Sequence, residues 1–203
     1  MIRLAISKGR ILHEGVKILT KIGIVCSVNP LNSRKLIIPT SDKNIEVVII
    51  KATDVPLYID SGKVDIGIVG IDTLLEEGTD NHYRLKDLEI AKCKLVVAGK
   101  PGKKFFNNMK IATKYPNTTK KYFEKIGLQC SILKLYGSIE LAPVLNLSDF
   151  IVDIVESGKT LKENGLKEYD TISSISSLLI SNKVSYKIKR KEIDSFLAKV
   201  DKI

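Results

Sequence analysis

The chain has 203 residues, 33 Lys plus Arg against 23 Asp plus Glu, a net charge of +10 and a hydrophobic fraction of 44%. That fraction excludes a mainly disordered chain, and the length allows one large domain or two small ones at about 100–200 residues each. No apolar run approaches the ~20 residues of a membrane helix, and Met1 to Arg10 lack the long apolar region and cleavage site of an export signal, so a cytoplasmic protein without a membrane partner is expected.

Short β-branched runs alternate with helical stretches, which predicts an α/β fold with a largely parallel sheet. Ile2 to Ile6 reads as a first strand, then the turn Ser7-Lys8-Gly9-Arg10, then a helix whose positions Ile11, Gly15, Ile18, Leu19 and Ile22 share one face. Gly23 ends that helix. Lys35 to Pro39 and Ile45 to Ile50 flank a polar turn and predict an antiparallel hairpin. Thr53 or Asp54 caps a helix carrying Val55, Tyr58 and Ile59, with Pro56 in its first turn. Asp65 to Gly70 is a buried strand and Asp72 begins the next helix. His13 is expected on the polar side of the first helix and His82 in a loop.

The alternation restarts at Leu95 to Ala98 and Lys110 to Thr113, both strands. Asn117-Thr118-Thr119 caps a helix through Ile126, Ser131 to Leu135 is a strand, Ser138 to Leu145 a short helix and Phe150 to Val155 another strand. A helix near Ser157 to Asn164 and a strand-like stretch from Tyr169 to Ile180 lead to a last helix with Ile193, Phe196, Leu197 and Val200 on one face. That helix needs a surface to dock on. Residues 1–90 with 175–203 are therefore expected as one α/β lobe and 91–174 as a second, with a substrate cleft between the lobes.

Cys26, Cys93 and Cys130 form no CxxC pair and have no neighbouring His, which disfavours a disulfide framework or a zinc site. With only two histidines there is little material for a His-based triad or a transition-metal centre, so any metal is expected to arrive on a phosphate-bearing substrate. The positive excess favours anionic partners without choosing among nucleic acid, phosphorylated metabolites and acidic proteins. Aromatic residues at 6% and the absence of Trp leave a nucleic-acid platform few stacking groups.

The most informative segment runs from Phe150 to Leu161. A buried strand ends in acids and turns through Ser157-Gly158-Lys159-Thr160 into a helix, gathering backbone N–H groups, two hydroxyls and a positive helix end around a volume suited to a phosphate monoester. Gly158-Lys159-Thr160 is part of a Walker A pattern, but the further Gly that loop requires is replaced by Asp153, which disfavours a P-loop nucleotidase. A plain helix cap at Ser157 and a turn at Gly158 explain the stretch equally well in isolation.

Together with Glu140, Ala142 and Pro143 upstream, these residues resemble the signature of the ATP phosphoribosyltransferase family, whose members catalyse the first step of histidine biosynthesis. The pattern has a Glu, a Gly six residues on, a small residue, an I/V-x-Asp-aliphatic run and Ser/Thr-Gly-x-Thr-Leu. All elements are present except the Gly, replaced by Asn146, and Asn tolerates a left-handed backbone well enough for that turn to survive. Ile6-Ser7-Lys8-Gly9-Arg10-Ile11, Asp65 to Asp72, Cys93 to Gly99, Ala112 to Asn117 and Glu163 to Leu166 are similar to the family's other blocks, with Ser7 where Pro is usual.

The resemblance implies two periplasmic-binding-protein-like lobes and a magnesium-dependent transfer of the phosphoribosyl group of 5-phosphoribosyl 1-diphosphate to N1 of ATP, with magnesium held by substrate phosphates. It implies that Ser157, Gly158, Lys159, Thr160 and Leu161 hold the 5-phosphate, and that Asp153 and Glu140 hold ribose hydroxyls or a magnesium-bound water. Lys8, Gly9 and Arg10, with Asp72 and Thr73, are the candidates for ATP or the leaving diphosphate, Lys8 and Arg10 also serving catalysis. Lys114, Tyr115 and Asn117 begin a helix of the second lobe, where Asn117 is either an anion-facing or a structural cap. The chain length matches the family's short form, which implies a homo-oligomer within a hetero-oligomer containing a histidyl-tRNA-synthetase-like regulatory subunit. Two other classes compete: a non-catalytic small-anion receptor of the same fold, disfavoured by carboxylates beside the anion turn, and a nucleic-acid binder, for which the Lys187 to Lys191 stretch is more simply a solvated face or a contact for an acidic partner.

Overall fold

Strand β1 (Ile2–Ser7) buries every residue except Arg3, the behaviour of a strand paired on both edges and covered on both faces. It belongs to a computed structural model that describes residues 1–78 and 81–203. The chain forms two units, Met1–Ala91 with Ser176–Ile203, and Lys92–Ile175.

In the first unit, helix α1 (Arg10–Lys21) turns Leu12, Gly15, Ile18 and Leu19 inward. Gly15 allows a close approach to β1, since a Cβ there would stand 3.3 Å from Ile6 Cγ2. Next come β2 (Ile37–Pro39), β3 (Ile45–Ile50), α2 (Val55–Asp60) after a 3-10 turn at Ala52–Asp54, β4 (Ile66–Gly70), α3 (Ile71–Glu77) and β5 (His82–Asp87). The second unit contains β6 (Cys93–Gly99), β7 (Met109–Thr113), α4 (Pro116–Lys125), β8 (Cys130–Lys134), α5 (Leu141–Val144), β9 (Phe150–Val155), α6 (Lys159–Glu163) and β10 (Lys167–Ile175). The chain then returns to the first unit as β11 (Ser177–Asn182), α7 (Lys183–Ile188) and α8 (Arg190–Val200).

The first sheet has the order β2-β3-β1-β4-β11-β5 and the second β10-β6-β9-β7-β8. Both are mixed. Parallel pairing is confined to β3–β1 and β1–β4 in one and to β9–β7 and β7–β8 in the other, which corrects the expectation of a largely parallel sheet. The β2–β3 connection is too short for a crossover, and β6, β10 and β11 run against their neighbours as the chain passes between the units.

The stretch read as one strand from Tyr169 to Ile180 is two strands in two sheets. Ser176 stands between them, accepting from the Ile71 amide at 2.9 Å and donating its hydroxyl to Asp87 at 2.7 Å. The helix expected from Ser138 to Leu145 is confined to Leu141–Val144. His82 lies not in a loop but buried in β5, its Nδ1 3.5 Å from Asp60 Oδ1. The last helix finds its dock within the first unit, where Ile193, Phe196 and Val200 join Ile2, Leu4 and Ile18 in one apolar cluster.

The second unit packs its sheet on two faces. Val96, Ala98, Ala112, Ile139, Ile151 and Leu161 form one cluster. On the other, Phe105 meets Phe150 and Phe123 edge-on, with centroids 5.1 and 5.6 Å apart. No helix of the described residues is long and apolar enough to cross a membrane.

Candidate functional site

β7 and β9 lie side by side and parallel, with Ile111 opposite Phe150 and Thr113 opposite Val152. Their carboxyl ends therefore emerge together, which is where parallel α/β sheets hold their ligands. The buried Thr113 hydroxyl fixes the corner, donating to the Val152 carbonyl at 2.7 Å and accepting from the Tyr115 amide at 2.9 Å. The residue after each of this pair is charged, Lys114 just past the end of β7 and Asp153 on β9: Lys114 Nζ stands 3.2 Å from Asp153 Oδ1. The Ile154 amide donates to the same oxygen at 2.8 Å.

Burial pushes the Asp153 carboxyl upward, and nearby Glu140 pushes it the same way. Lys114 and the Ile154 amide pull it down without fully offsetting the burial, so the group sits above its ordinary range. Lys114 Nζ also lies 5.1 Å from the centroid of the Tyr115 ring. Asn117 falls within the first turn of α4, whose cap is Tyr115 and whose first residue is Pro116, so it is not the cap the sequence suggested.

Beyond Asp153 the chain turns into α6. The residue capping α6 is Gly158, at φ +72°, and not Ser157. Ser157 lies one position earlier, exposed, its hydroxyl 3.4 Å from the Lys159 amide. The first backbone N–H groups of α6 have no carbonyl of their own helix to bond, and Lys159 and Thr160 are exposed beside them. Leu161 is different: its side chain is buried in the apolar cluster, so only its backbone faces outward chemistry. Glu168 of β10 is a neighbour that no sequence pattern announced, its Oε1 3.4 Å from where a Cβ on Gly158 would be.

Asn146 has φ +59°, the left-handed conformation expected of it. Its side-chain oxygen accepts from Lys100 Nζ at 2.8 Å.

The remaining candidates belong to the first unit, where parallel β1 and β4 bring the turns after Ser7 and Gly70 to one end of the sheet. The Lys8 amide donates to Ile50 at 2.9 Å, Gly9 has φ +93°, and the Arg10 guanidinium donates to the Ala91 carbonyl at 2.6 Å. Asp72 lies in the first turn of α3, where a carboxylate suits the helix dipole, and folds back over Gly70 so closely that any Cβ there would meet its Oδ1. Thr73 is 5% exposed, so its side chain does not line an open surface as expected. The structure thus brings Lys114 and Glu140 to Asp153, carries residues 157–161 in the same unit, and places Lys8, Gly9, Arg10, Asp72 and Thr73 in the first. Among the described residues no group of three or more His, Cys, Asp or Glu side chains is arranged to hold a metal ion.

Residues 51–202 match the family model for ATP phosphoribosyltransferase. The chain is 47% identical over 202 residues to an ATP phosphoribosyltransferase of Ruthia magnifica subsp. Calyptogena magnifica, covering 99% of this chain and 98% of that one. It is 49% identical over 202 residues to the enzyme of that name from Clostridium kluyveri, covering 98% and 92%. Among solved structures it superposes on the ATP phosphoribosyl transferase (HisG:HisZ) complex from Thermotoga maritima with a TM-score of 0.88 at 38% identity, covering 100% of this chain and 98% of that chain. It also superposes on the periplasmic aliphatic sulphonate binding protein of Escherichia coli with a TM-score of 0.62 at 13% identity, covering 99% and 67%, a likeness of fold alone.

Proposed function

The chain belongs to the ATP phosphoribosyltransferase family, and from that premise we propose how its residues carry out the transfer. The reaction moves the phosphoribosyl group of 5-phosphoribosyl 1-diphosphate to N1 of ATP, giving phosphoribosyl-ATP and diphosphate in the first step of histidine biosynthesis. The bond from ribose C1 to the diphosphate breaks as the bond from C1 to N1 forms. Positive charge grows on the sugar and negative charge on the leaving group, so catalysis rests on positioning and charge complementarity rather than on a covalent nucleophile.

In this reading the α6 turn holds the 5-phosphate through the backbone N–H groups of Gly158, Lys159, Thr160 and Leu161 and the hydroxyls of Ser157 and Thr160. Asp153 and Glu140 accept from the ribose hydroxyls, placing negative charge beside a sugar that is becoming positive. Lys8 and Arg10, with the backbone of Gly9, serve the polyphosphate of ATP or the leaving diphosphate, as cations at a strand-to-helix turn can. Asp72 and the backbone of Thr73 complete that group. Magnesium belongs to the substrate, carried on its diphosphate oxygens and offsetting their charge.

The observation that carries the reading is the mostly buried Asp153 carboxylate, held by a cation, immediately before the Ser157 to Thr160 turn. The partner in this reading is a regulatory subunit of the HisZ kind present in the Thermotoga maritima complex, through which histidine control would reach this catalytic chain, in the cytoplasm. The test is diphosphate release and phosphoribosyl-ATP formation from ATP, 5-phosphoribosyl 1-diphosphate and magnesium, without and with the regulatory subunit. Asp153→Asn should lower kcat/KM for 5-phosphoribosyl 1-diphosphate by about 10² or more, the scale of one lost electrostatic contact to a transition state. An Asp153→Asn enzyme with unchanged kcat and KM would overturn the assignment.

A further inference from the structure

The pair of Lys114 and Asp153 joins unequal partners. The Lys114 side chain is 40% exposed and that of Asp153 only 15%. An exposed lysine gains little by pairing, whereas a mostly buried carboxylate without a cation is costly to keep charged. The benefit of the contact therefore falls on Asp153.

We propose that Lys114 is a positioning residue for phosphoribosyl transfer: its ammonium keeps the Asp153 carboxylate charged and oriented at the carboxyl ends of β7 and β9, ready to accept the ribose hydroxyls. This rests on the assignment of the phosphoribosyl group to the Asp153 to Leu161 segment. Lys114 acts through Asp153 and touches neither C1 nor the leaving group.

Among the described residues no other cation gives Asp153 support of this kind. From the start of α5 it faces Glu140, a like charge that opposes its ionisation. From β6 its register partner is Val96, which brings no charge. On α6, Lys159 is turned toward Glu163, with 3.8 Å between Nζ and Oε1. Glu168 of β10, at the Gly158 turn, is a further negative group. Among the described residues Lys114 is thus the cation that lowers the Asp153 carboxyl.

Its placement is built in. Thr113 anchors both strand ends through the Val152 carbonyl and the Tyr115 amide, and Tyr115, 5% exposed, presents its ring to the ammonium. A protonated Asp153 would offer one acceptor fewer and no charge to the developing cation, so the fraction ionised should set the acid side of the rate profile.

The experiment uses the complex of this chain with its regulatory subunit, comparing wild type with Lys114→Met and Lys114→Arg. kcat and KM for each substrate are measured from pH 5 to 9, with thermal unfolding alongside. Removing the cation lets the Asp153 carboxyl rise, so the protonated form persists to higher pH. The acid limb of kcat/KM for 5-phosphoribosyl 1-diphosphate should therefore move up by about one pH unit in Lys114→Met, at the low end of what an adjacent opposite charge does to a carboxylate. That is about a tenfold loss on the acid side, with KM for ATP unchanged, and Lys114→Arg should restore most of it.

An acid limb that stays in place in Lys114→Met overturns the proposal, whether or not the melting temperature falls. In an Asp153→Asn background Lys114→Met should produce no further shift, and an undiminished shift there would equally refute it. If Asp153→Asn itself leaves the kinetics of 5-phosphoribosyl 1-diphosphate untouched, it is the underlying site assignment that has failed. If Asp153→Asn is impaired and Lys114→Met is not, only the role of Lys114 has.

Discussion

Asn146 occupies the one signature position where a Gly is usual, and its backbone is left-handed at φ +59°. The consequence is measurable with two substitutions. Asn146→Ala retains a Cβ but loses Asn's special tolerance of this region, which costs roughly 1 kcal/mol. It also removes the acceptor for Lys100 Nζ at 2.8 Å, an exposed charge-assisted contact worth roughly 0–1 kcal/mol. The expected loss is therefore about 1–2 kcal/mol, or roughly 2–8 °C in melting temperature at 2–4 °C per kcal/mol for a chain of this size. Asn146→Gly forfeits the same contact and frees the unfolded chain, at roughly 0.4–1 kcal/mol, but relieves the backbone, so its net effect should stay under about 1 kcal/mol. The chain has no Trp, so circular dichroism at 222 nm against urea is the suitable readout. If Asn146→Ala is as stable as wild type, or Asn146→Gly is the worse of the two, the left-handed turn is not what Asn146 supplies.

Two further outcomes follow from burial and charge. Leu161→Ala empties a side-chain position in the cluster with Val96, Ala98 and Ile151 and should cost about 2–5 kcal/mol; exposed Thr160→Ala should cost under about 0.5 kcal/mol and instead raise KM for 5-phosphoribosyl 1-diphosphate, and the reverse pattern would show that the two residues have exchanged roles. For Asp65, burial pushes the carboxyl up, but Lys189 Nζ at 2.9 Å from both its oxygens, the Arg3 amide at 2.9 Å and Ser185 outweigh it and hold the group below its ordinary value. A depressed folded-state value contributes stability that is present above the unfolded value near 3.9 and is lost as pH falls through the folded one. Lys189→Met should therefore lower the urea midpoint at pH 7 and converge on wild type as the pH falls below about 4, whereas a gap independent of pH would mean that the pair carries no charge-linked stability.

What the sequence made legible is what is encoded in contiguous residues. The first strand and helix, the hairpin before Ile50 and the turn after Val155 each carry their own periodicity or turn chemistry, and they stand where expected. β5 escaped because it is an edge strand, paired only with β11, so His-Tyr-Arg-Leu-Lys-Asp has polar residues facing water and no buried run to betray it. The break of the Tyr169 to Ile180 stretch into two strands escaped for a different reason, although a lobe boundary is expected at 174/175: no Gly or Pro marks the break, and both flanks are β-rich, so the change of sheet is purely tertiary. α7 carries a local signal of its own, since Asn182 accepts from the Val184 and Ser185 amides as a helix cap. At the site, a cap at Ser157 is one of the two readings the stretch allows, and the left-handed turn at Gly158 takes the cap position instead, displacing the helix start by a residue.

The connection between Lys114 and Asp153, 39 residues apart, exists only through strand register, and the mixed topology shows why that end of the sheet was available for it. β9 is central, with β7 parallel on one side and β6 antiparallel on the other. The carboxyl end of β9 is thus flanked by the exit of β7 and by the entry of β6, where Lys94 pairs with Val155. Cys93 in turn pairs with Ile175 at the end of β10, so the chain enters and leaves the second unit at the same end of the sheet that carries Asp153. The first unit, taken by itself, repeats the arrangement: Ser177 at the start of β11 pairs with Gly70 at the end of β4, beside the β1 turn that carries Lys8 and Arg10. In each unit the antiparallel strand made by the crossing chain closes one flank of this end of the sheet, and the parallel strand on the other flank is left to deliver a charged side chain. In the second unit that side chain is Lys114, fixed by a register that a one-residue slip of β7 would abolish, because the slip would turn Lys114 to the opposite face.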